Sequence, residues 1–250
     1  METPEPLTED LLLNGRVRLL QPRYGYRAAI DPVFLAAAVP ARPGERILDL
    51  GCGVGAAALC LLARCPDVVV EGLEIQGPLA GLARRNAVLN EAERGFAVHA
   101  GDAARPPAGL GGFHHVMTNP PFFESGSGTR AADASRAMAH EEGGLDLAGW
   151  IKAAVKLLRP KGRLILIHRA ERLGDILAGL RGRGVGDVAV LPLWPKNGRG
   201  AGRVIVSARK SVRSPLRLLP GLVLHDDAGA FTPEAQAVLR GAAPLVGEEG

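Results

Sequence analysis

Short apolar runs, each the length of a strand, alternate along most of this chain with longer segments of helical spacing. Residues 46–50 (Arg-Ile-Leu-Asp-Leu) leave no room for a turn and read as a buried strand. The run breaks at Gly51, Gly53 and Gly55 and gives way to an alanine-rich helix over 56–65. Strands follow at 68–75 and 96–102, separated by a helix over 79–90, and each closes on a carboxylate, Glu74 and Asp102. A fourth strand, 113–118, runs straight into Asn119-Pro120-Pro121-Phe122. An amphipathic helix over 147–158 ends at the stop signal Arg159-Pro160-Lys161-Gly162. A strand at 163–168 and a helix at 173–180 come next. The runs at 188–193 and 203–208 are joined by a turn, 196–202, too short for a parallel crossover, so this pair is antiparallel.

Strands alternating with helices imply right-handed crossovers. The pattern predicts a Rossmann-like, doubly wound α/β fold: a mostly parallel seven-stranded sheet with an antiparallel last strand pair. Residues 1–13 read as a frayed lead and 15–22 as a short hairpin strand. Asp31-Pro32 reads as an N-cap followed by proline, opening a helix over 33–38. Tyr24 and Tyr26 just before it either wall a pocket or, the favoured reading, fold the lead onto the core. Residues 124–144 are polar and rich in Gly and Ser, a loop beside the strand ends. The segment Leu222-Val223-Leu224-His225-Asp226 and a short helix over 233–239 occupy the tail. The organisation expected is a lead (1–45), a main domain (46–210) and a C-terminal tail (211–250), with no internal repeat.

Composition narrows the class. The 47% of hydrophobic residues is ample for a core in 250 residues, and no stretch is apolar enough to span a bilayer. Cys52, Cys60 and Cys65 all fall near the glycine turn without ligand-spaced histidines, which predicts buried thiols of a reduced, cytoplasmic protein and no metal site. The net charge of +4 conceals a segregation. Residues 151–218 hold 16 Lys and Arg against 3 Asp and Glu, a balance of +13, while the remainder carries −9. Such an asymmetry suits a polyanion-binding face; the plainer alternative is a solvated surface in an arginine-rich chain.

A strand, a glycine turn and a helix N-terminus together make a corner for anions and nucleosides, because the glycines let the backbone approach a ligand. Gly51-x-Gly53-x-x-Ala56 alone satisfies the loose dinucleotide fingerprint. The segment Asn119-Pro120-Pro121-Phe122 favours another reading. Two prolines fix an extended path and remove two N–H donors. An exocyclic amine conjugated to a ring is a poor nucleophile because its lone pair is delocalised. The Asn119 side-chain oxygen and the Pro120 carbonyl would accept its two hydrogens and favour pyramidal geometry, with Phe122 stacked on the ring. Positioning and electrostatic complementarity then do the work, with no general base in the rate-determining step.

On these residues the chain resembles class I S-adenosylmethionine (SAM)-dependent methyltransferases of the Asn-Pro-Pro-Phe/Tyr type. Within them it is most similar to the bacterial valine-tRNA adenine-N6 methyltransferases. The likeness covers residues 14–240 and rests on the segments 24–31, 49–55, 119–123, 136–141 and 222–226. It implies SAM as cofactor, its methionine end wrapped by Asp49, Gly51, Cys52, Gly53 and Gly55. Glu74 would accept from the ribose hydroxyls, with Ile75 beside it, and Asp102 from the adenine amine, with Ala103 beside it. Each carboxylate alone is more commonly a helix cap. The implied substrate is RNA, a tRNA near the anticodon, with no membrane or metal involved; the +13 balance of 151–218 makes Lys196, Arg199 and Arg203 its expected contacts. Two alternatives stay open. A protein-glutamine N5-methyltransferase presents a similar NH2, although its usual N-terminal helical domain has no room in the 45 residues before Arg46. A non-catalytic RNA-binding module with a vestigial pocket is the other, weakened by the intact set Asp49, Glu74, Asp102 and Asn119.

Overall fold

The predicted alternation becomes the sheet. A computed structural model describes residues 6–24, 27–121 and 145–245. A hairpin, β1 (Leu7–Leu12) and β2 (Val17–Pro22), precedes α1 (Asp31–Ala37). Next come β3 (Arg46–Leu50), α2 (Ala56–Arg64), β4 (Val69–Glu74), α3 (Gly77–Leu89), β5 (Phe96–Ala100) and β6 (Phe113–Thr118). Then follow α4 (Leu147–Leu157), β7 (Leu158–Arg169), α5 (Leu173–Leu180), β8 (Val185–Lys196) and β9 (Arg203–Lys210). The tail supplies β10 (Arg217–Leu218), β11 (Leu222–His225) and α6 (Pro233–Gly241).

Strand order is β5-β4-β3-β6-β7-β9-β8, the seven strands expected, and β9 alone runs against its neighbours β7 and β8. Two short strands from the tail, β10 and β11, both pair parallel with β8 and bring the sheet to nine strands. Neither is long enough to show a period of its own; they cover the open edge of β8, where unpaired backbone groups would otherwise face water. The two faces of the sheet carry separate cores. On β3, Ile47 joins the core under α1, α2 and α3, while Leu48 and Leu50 join the one under α4 and α5, as the two-residue strand period requires. Helix α2 is buried along seven consecutive residues, Ala56 to Leu62, which explains its lack of a polar face.

Three expectations change. Residues 7–12 of the lead are not frayed: β1 pairs with β2 along its whole length. Its Thr8-Glu9-Asp10 has no apolar alternation to reveal a strand. Long-range partners hold it instead, Glu9 against Arg18 at 2.7 Å and Asp10 against Arg27 at 2.6 Å. Asp31 does not cap α1. The N-cap is Ile30, and the Asp31 carboxylate pairs with Arg203 at 2.9 Å, a partner 172 residues away. Tyr24 does not fold the lead onto the core, since it is 65% exposed with the Arg23 guanidinium 6.0 Å from its ring centroid. Tyr26 lies outside the described residues, as does the loop expected at 124–144.

The hairpin is fastened by two asparagines one helical turn apart on α3, neither singled out from the sequence. Asn86, fully buried, accepts from Leu20 N at 2.8 Å and donates to Leu20 O and Val54 O, both at 2.9 Å. Asn90 accepts from Arg18 N at 2.8 Å and donates to Arg18 O at 2.7 Å. The free edge of β2 is thus paired by side chains in place of a strand, and one of them also grips the glycine corner through Val54. Replacing Asn86 with Ala strands three buried backbone groups. We expect Asn86→Ala to lower the unfolding free energy by at least about 2 kcal/mol, read as a drop in the urea midpoint with unchanged slope.

Candidate active site at the carboxyl ends of the strands

The corner after β3 turns on three glycines in left-handed conformation, with φ of +72° at Gly51, +54° at Gly53 and +85° at Gly55. Any other residue there is strained. Space adds a second constraint at two of them. A Cβ on Gly51 would meet the Trp150 ring at 2.8 Å, and one on Gly55 the Phe96 ring at 2.7 Å. A Cβ on Gly53 would meet nothing within 4 Å, so this position faces open space.

The end of β4 holds the turn. Leu73 O accepts from Gly51 N at 2.8 Å and from Cys52 N at 3.2 Å. The two oxygens of Glu74 accept from Gly53 N and Gln76 N, both at 2.9 Å. Glu74, expected to meet a ligand, therefore first organises the corner and the start of α3. Cys52 turns its side chain beneath the turn, its sulfur 2.7 Å from where a Cβ of Gly72 would stand, and burial pushes its thiol pKa well above the usual value.

Asp49 sits in the floor. Its carboxylate is 2% exposed and accepts from Ala58 N in the first turn of α2, yet Oδ2 has no hydrogen-bond partner among the described residues. Burial pushes its pKa up to about 7; the Ala58 N–H opposes the shift and the nearby Glu74 carboxylate adds to it. Two buried carboxylates beside a helix N-terminus suit a ligand with both a cationic and an anionic group.

Around this floor stand the other expected residues. Ile75 is 42% exposed at the end of β4, an apolar surface beside Glu74. Asp102 Oδ1 accepts from Ala104 N at 2.7 Å and Oδ2 lies 3.8 Å from Arg105, so this carboxylate serves its own loop, and Ala103 is buried in the core. Asn119 directly follows β6, half-buried, with Pro120 buried and Pro121 exposed; Phe122 lies outside the described residues. A relay that sequence reasoning missed ties Thr118, the residue before Asn119, to the corner. Trp150 Nε1 donates to Thr118 Oγ1 at 2.7 Å, and Thr118 Oγ1 donates to Leu50 O at 2.8 Å. Nothing in the sequence marks Thr118, the last residue of β6, or Trp150 on α4; the relay forms only once the two elements pack together.

The basic residues are distributed differently. Arg199 is exposed in the β8–β9 turn, whereas Lys196 Nζ donates to Asp227 O at 3.2 Å and Arg203 pairs with Asp31. Among the described residues no helix is long and apolar enough to cross a membrane, and no group of three or more His, Cys, Asp or Glu is placed to hold a metal ion.

Solved structures share this architecture. The chain is similar to a protein from Agrobacterium tumefaciens described as a predicted O-methyltransferase, with a TM-score of 0.71, 27% identity, and coverage of 88% of this chain and 100% of that one. The fold is that of the class I methyltransferases. Residues 29–177 match the methyltransferase small domain family, and the chain belongs to that family. It is 36% identical over 158 residues to a Porphyromonas gingivalis protein named tRNA1(Val) (adenine(37)-N6)-methyltransferase, covering 60% of this chain and 61% of that one. A second strain's relative of the same name is 37% identical over 53% of this chain and 52% of its own length. The chain thus spans less than two thirds of these two relatives. With the relative of the same name from Aeromonas hydrophila the match is broader, 28% identity over 84% of this chain and 87% of that one.

The buried carboxylate gives a pH signature. The unfolded chain releases the Asp49 proton near the ordinary value of 3.8, while the folded chain keeps it to about 7. Between those values the folded state binds more protons, so this group makes the ligand-free protein less stable as pH rises. We expect the stability advantage of Asp49→Asn over the native protein to grow across that window by up to about 1.4 kcal/mol per pH unit and then level off. Chemical denaturation at a series of pH values measures it.

Proposed function

We propose that this protein is a SAM-dependent N6-adenine methyltransferase acting on RNA, with a tRNA near the anticodon as substrate. The observation that carries the reading is the bond from Thr118, the residue before Asn119-Pro120, to Leu50, the residue before the glycine corner, with Trp150 donating to the same Thr118. On this reading the Asn119 and Pro120 oxygens would serve as acceptors beside a cofactor held at the corner. The names of the relatives support the same acceptor.

The residues fit SAM. Its ammonium and sulfonium are cations suited to the buried Asp49–Glu74 pair, and its carboxylate suits the N-terminus of α2. Gly51, Cys52, Gly53 and Gly55 would give backbone contacts to the methionine end. Glu74 would accept from the ribose, Ile75 would lie against the adenine, and Asp102 with Ala103 would meet its amine edge. When bound, SAM supplies an electrophilic methyl group to the target nitrogen, whose displaced proton passes to water.

The chain's own part is to hold the amine. The Asn119 side-chain oxygen and the Pro120 carbonyl accept its two hydrogens, drawing the nitrogen toward pyramidal geometry, and Phe122 covers the base. Of Lys196, Arg199 and Arg203, Arg199 is the most accessible and would meet RNA backbone directly, with Lys196 beside it and Arg203 committed first to Asp31. Phosphate contacts of this kind offset the few kcal/mol that extruding a base costs.

Mass spectrometry of tRNA nucleosides from cells with and without the gene tests the reading: loss of N6-methyladenosine supports it, and unchanged nucleosides with methyl transfer to a glutamine amide would replace it by the protein-modifying alternative. At the residue level, Asn119→Ala is expected to lower kcat by roughly 10²–10³ while SAM affinity holds. Near-native turnover in that variant would move the amine site elsewhere.

A further inference from the structure

A cleft of ≈ 340 Å³ opens beside the proposed active site, between the segment entering α1 and the β8–β9 hairpin. Its walls are apolar, Ile30, Leu193, Pro195 and Leu224 among them, and its polar groups are Arg27, Asp31 and Arg203. The volume falls in the range of small-molecule sites.

Its polar groups are held in place. Arg203 Nε meets Asp31 Oδ2 at 2.9 Å and Nη1 donates to Gly202 O at 3.1 Å. Arg27 is pinned by Asp10 at 2.6 Å, Thr8 at 2.7 Å and Pro22 O at 3.1 Å. Each guanidinium is offset by a carboxylate, so the cleft lacks the excess positive charge that would select a bare phosphate. It combines aliphatic walls with fixed donors and a fixed acceptor. That combination suits a planar, uncharged heterocycle with hydrogen-bonding edges, and a nucleobase is such a group.

Position says which nucleobase. Thr118 on β6 pairs with Leu166 on β7, and Leu166 with Val206 on β9, while Arg203 stands opposite Arg169. Arg203 therefore lies two strands across from Asn119 and about two residues further along, on the same carboxyl edge. With strand and residue spacings of ~4.8 and ~3.3 Å, the two are roughly 10–15 Å apart. That is the reach of one or two nucleotides of single-stranded RNA.

Resting on the function proposed above, we propose that this cleft binds the base of a nucleotide within two positions of the target adenine, and so selects the sequence context of methylation. The cost of extruding the target is then offset by capturing its neighbour as well as by contacts to phosphates.

Gly202 supplies a test that spares the fold. It lines the cleft, its φ lies outside the left-handed region, and a Cβ there would meet nothing within 4 Å. Gly202→Trp fills the cleft; Gly202→Leu is a smaller filler should the first fail to fold. The substrate is an anticodon stem-loop RNA, intact or with a single base removed at each position flanking the methylated adenine. For the native enzyme, one abasic position within two nucleotides should raise KM roughly tenfold, as for the loss of a base's apolar burial, with little change in kcat. The filled variants should show the raised KM on intact RNA, no further rise on that abasic RNA, and native SAM affinity by calorimetry. Equal KM for native and filled enzymes, or equal abasic sensitivity in both, would overturn the cleft's role while leaving the methyltransferase reading intact. Failure of the native enzyme to methylate any RNA would overturn both.

Discussion

The site exists because the end of one strand holds the turn that follows its neighbour. Leu73 O and the Glu74 carboxylate on β4 take four backbone N–H groups between them, three from the glycine corner and one at the start of α3. Left to itself, a turn with three glycines is among the costliest segments of a chain to order. The acceptors on β4 convert that freedom into one geometry, and the order β4-β3-β6 then sets Asn119 beside it. A carboxylate committed to backbone donors is also a fixed negative charge, and it helps raise the pKa of Asp49 in the floor.

Two further clamps make the corner rigid from opposite faces of the sheet. On one face Asn86 bonds both β2 and Val54, so the N-terminal hairpin bears on the corner itself. On the other, Trp150 reaches Leu50 through Thr118 and lays its ring where a side chain at Gly51 would stand. The polar groups in both clamps are buried and satisfied, the condition under which a buried polar network specifies one arrangement. Preorganisation of this kind is what positioning catalysis requires when no general base is at work.

The basic half of the chain has a divided use. Arg163 pairs with Asp187, Arg203 with Asp31, and Lys210 Nζ donates to the carbonyls of Lys156 and Leu158. These cations tie the antiparallel end of the sheet to its surroundings, and each is less available to a polyanion than a charge count suggests. Arg199, exposed at the tip of the β8–β9 turn, is the kind of residue the count was meant to find. A +13 balance therefore measures a reserve of charge, and tertiary pairing decides how much of it stays open to a polyanion.

Periodicity along the chain determined the seven main strands, their alternation with helices and the antiparallel return of β9, because each core strand needs a continuous apolar run to be buried on both faces. The glycine corner and Asn-Pro-Pro were legible for a local reason: left-handed φ and a missing N–H restrict which residues can stand there. What escaped was set by distant partners. β1 has no hydrophobic alternation and is held by Arg18 and Arg27; Asp31 looked like a cap and is claimed by Arg203; β10 and β11 are too short to announce themselves. Asn86, Thr118 and Trp150 are ordinary residues in sequence and become decisive only once the fold buries their polar atoms together. Local conformational restriction is written in neighbouring residues, whereas satisfaction of buried polar groups is a property of the assembled chain.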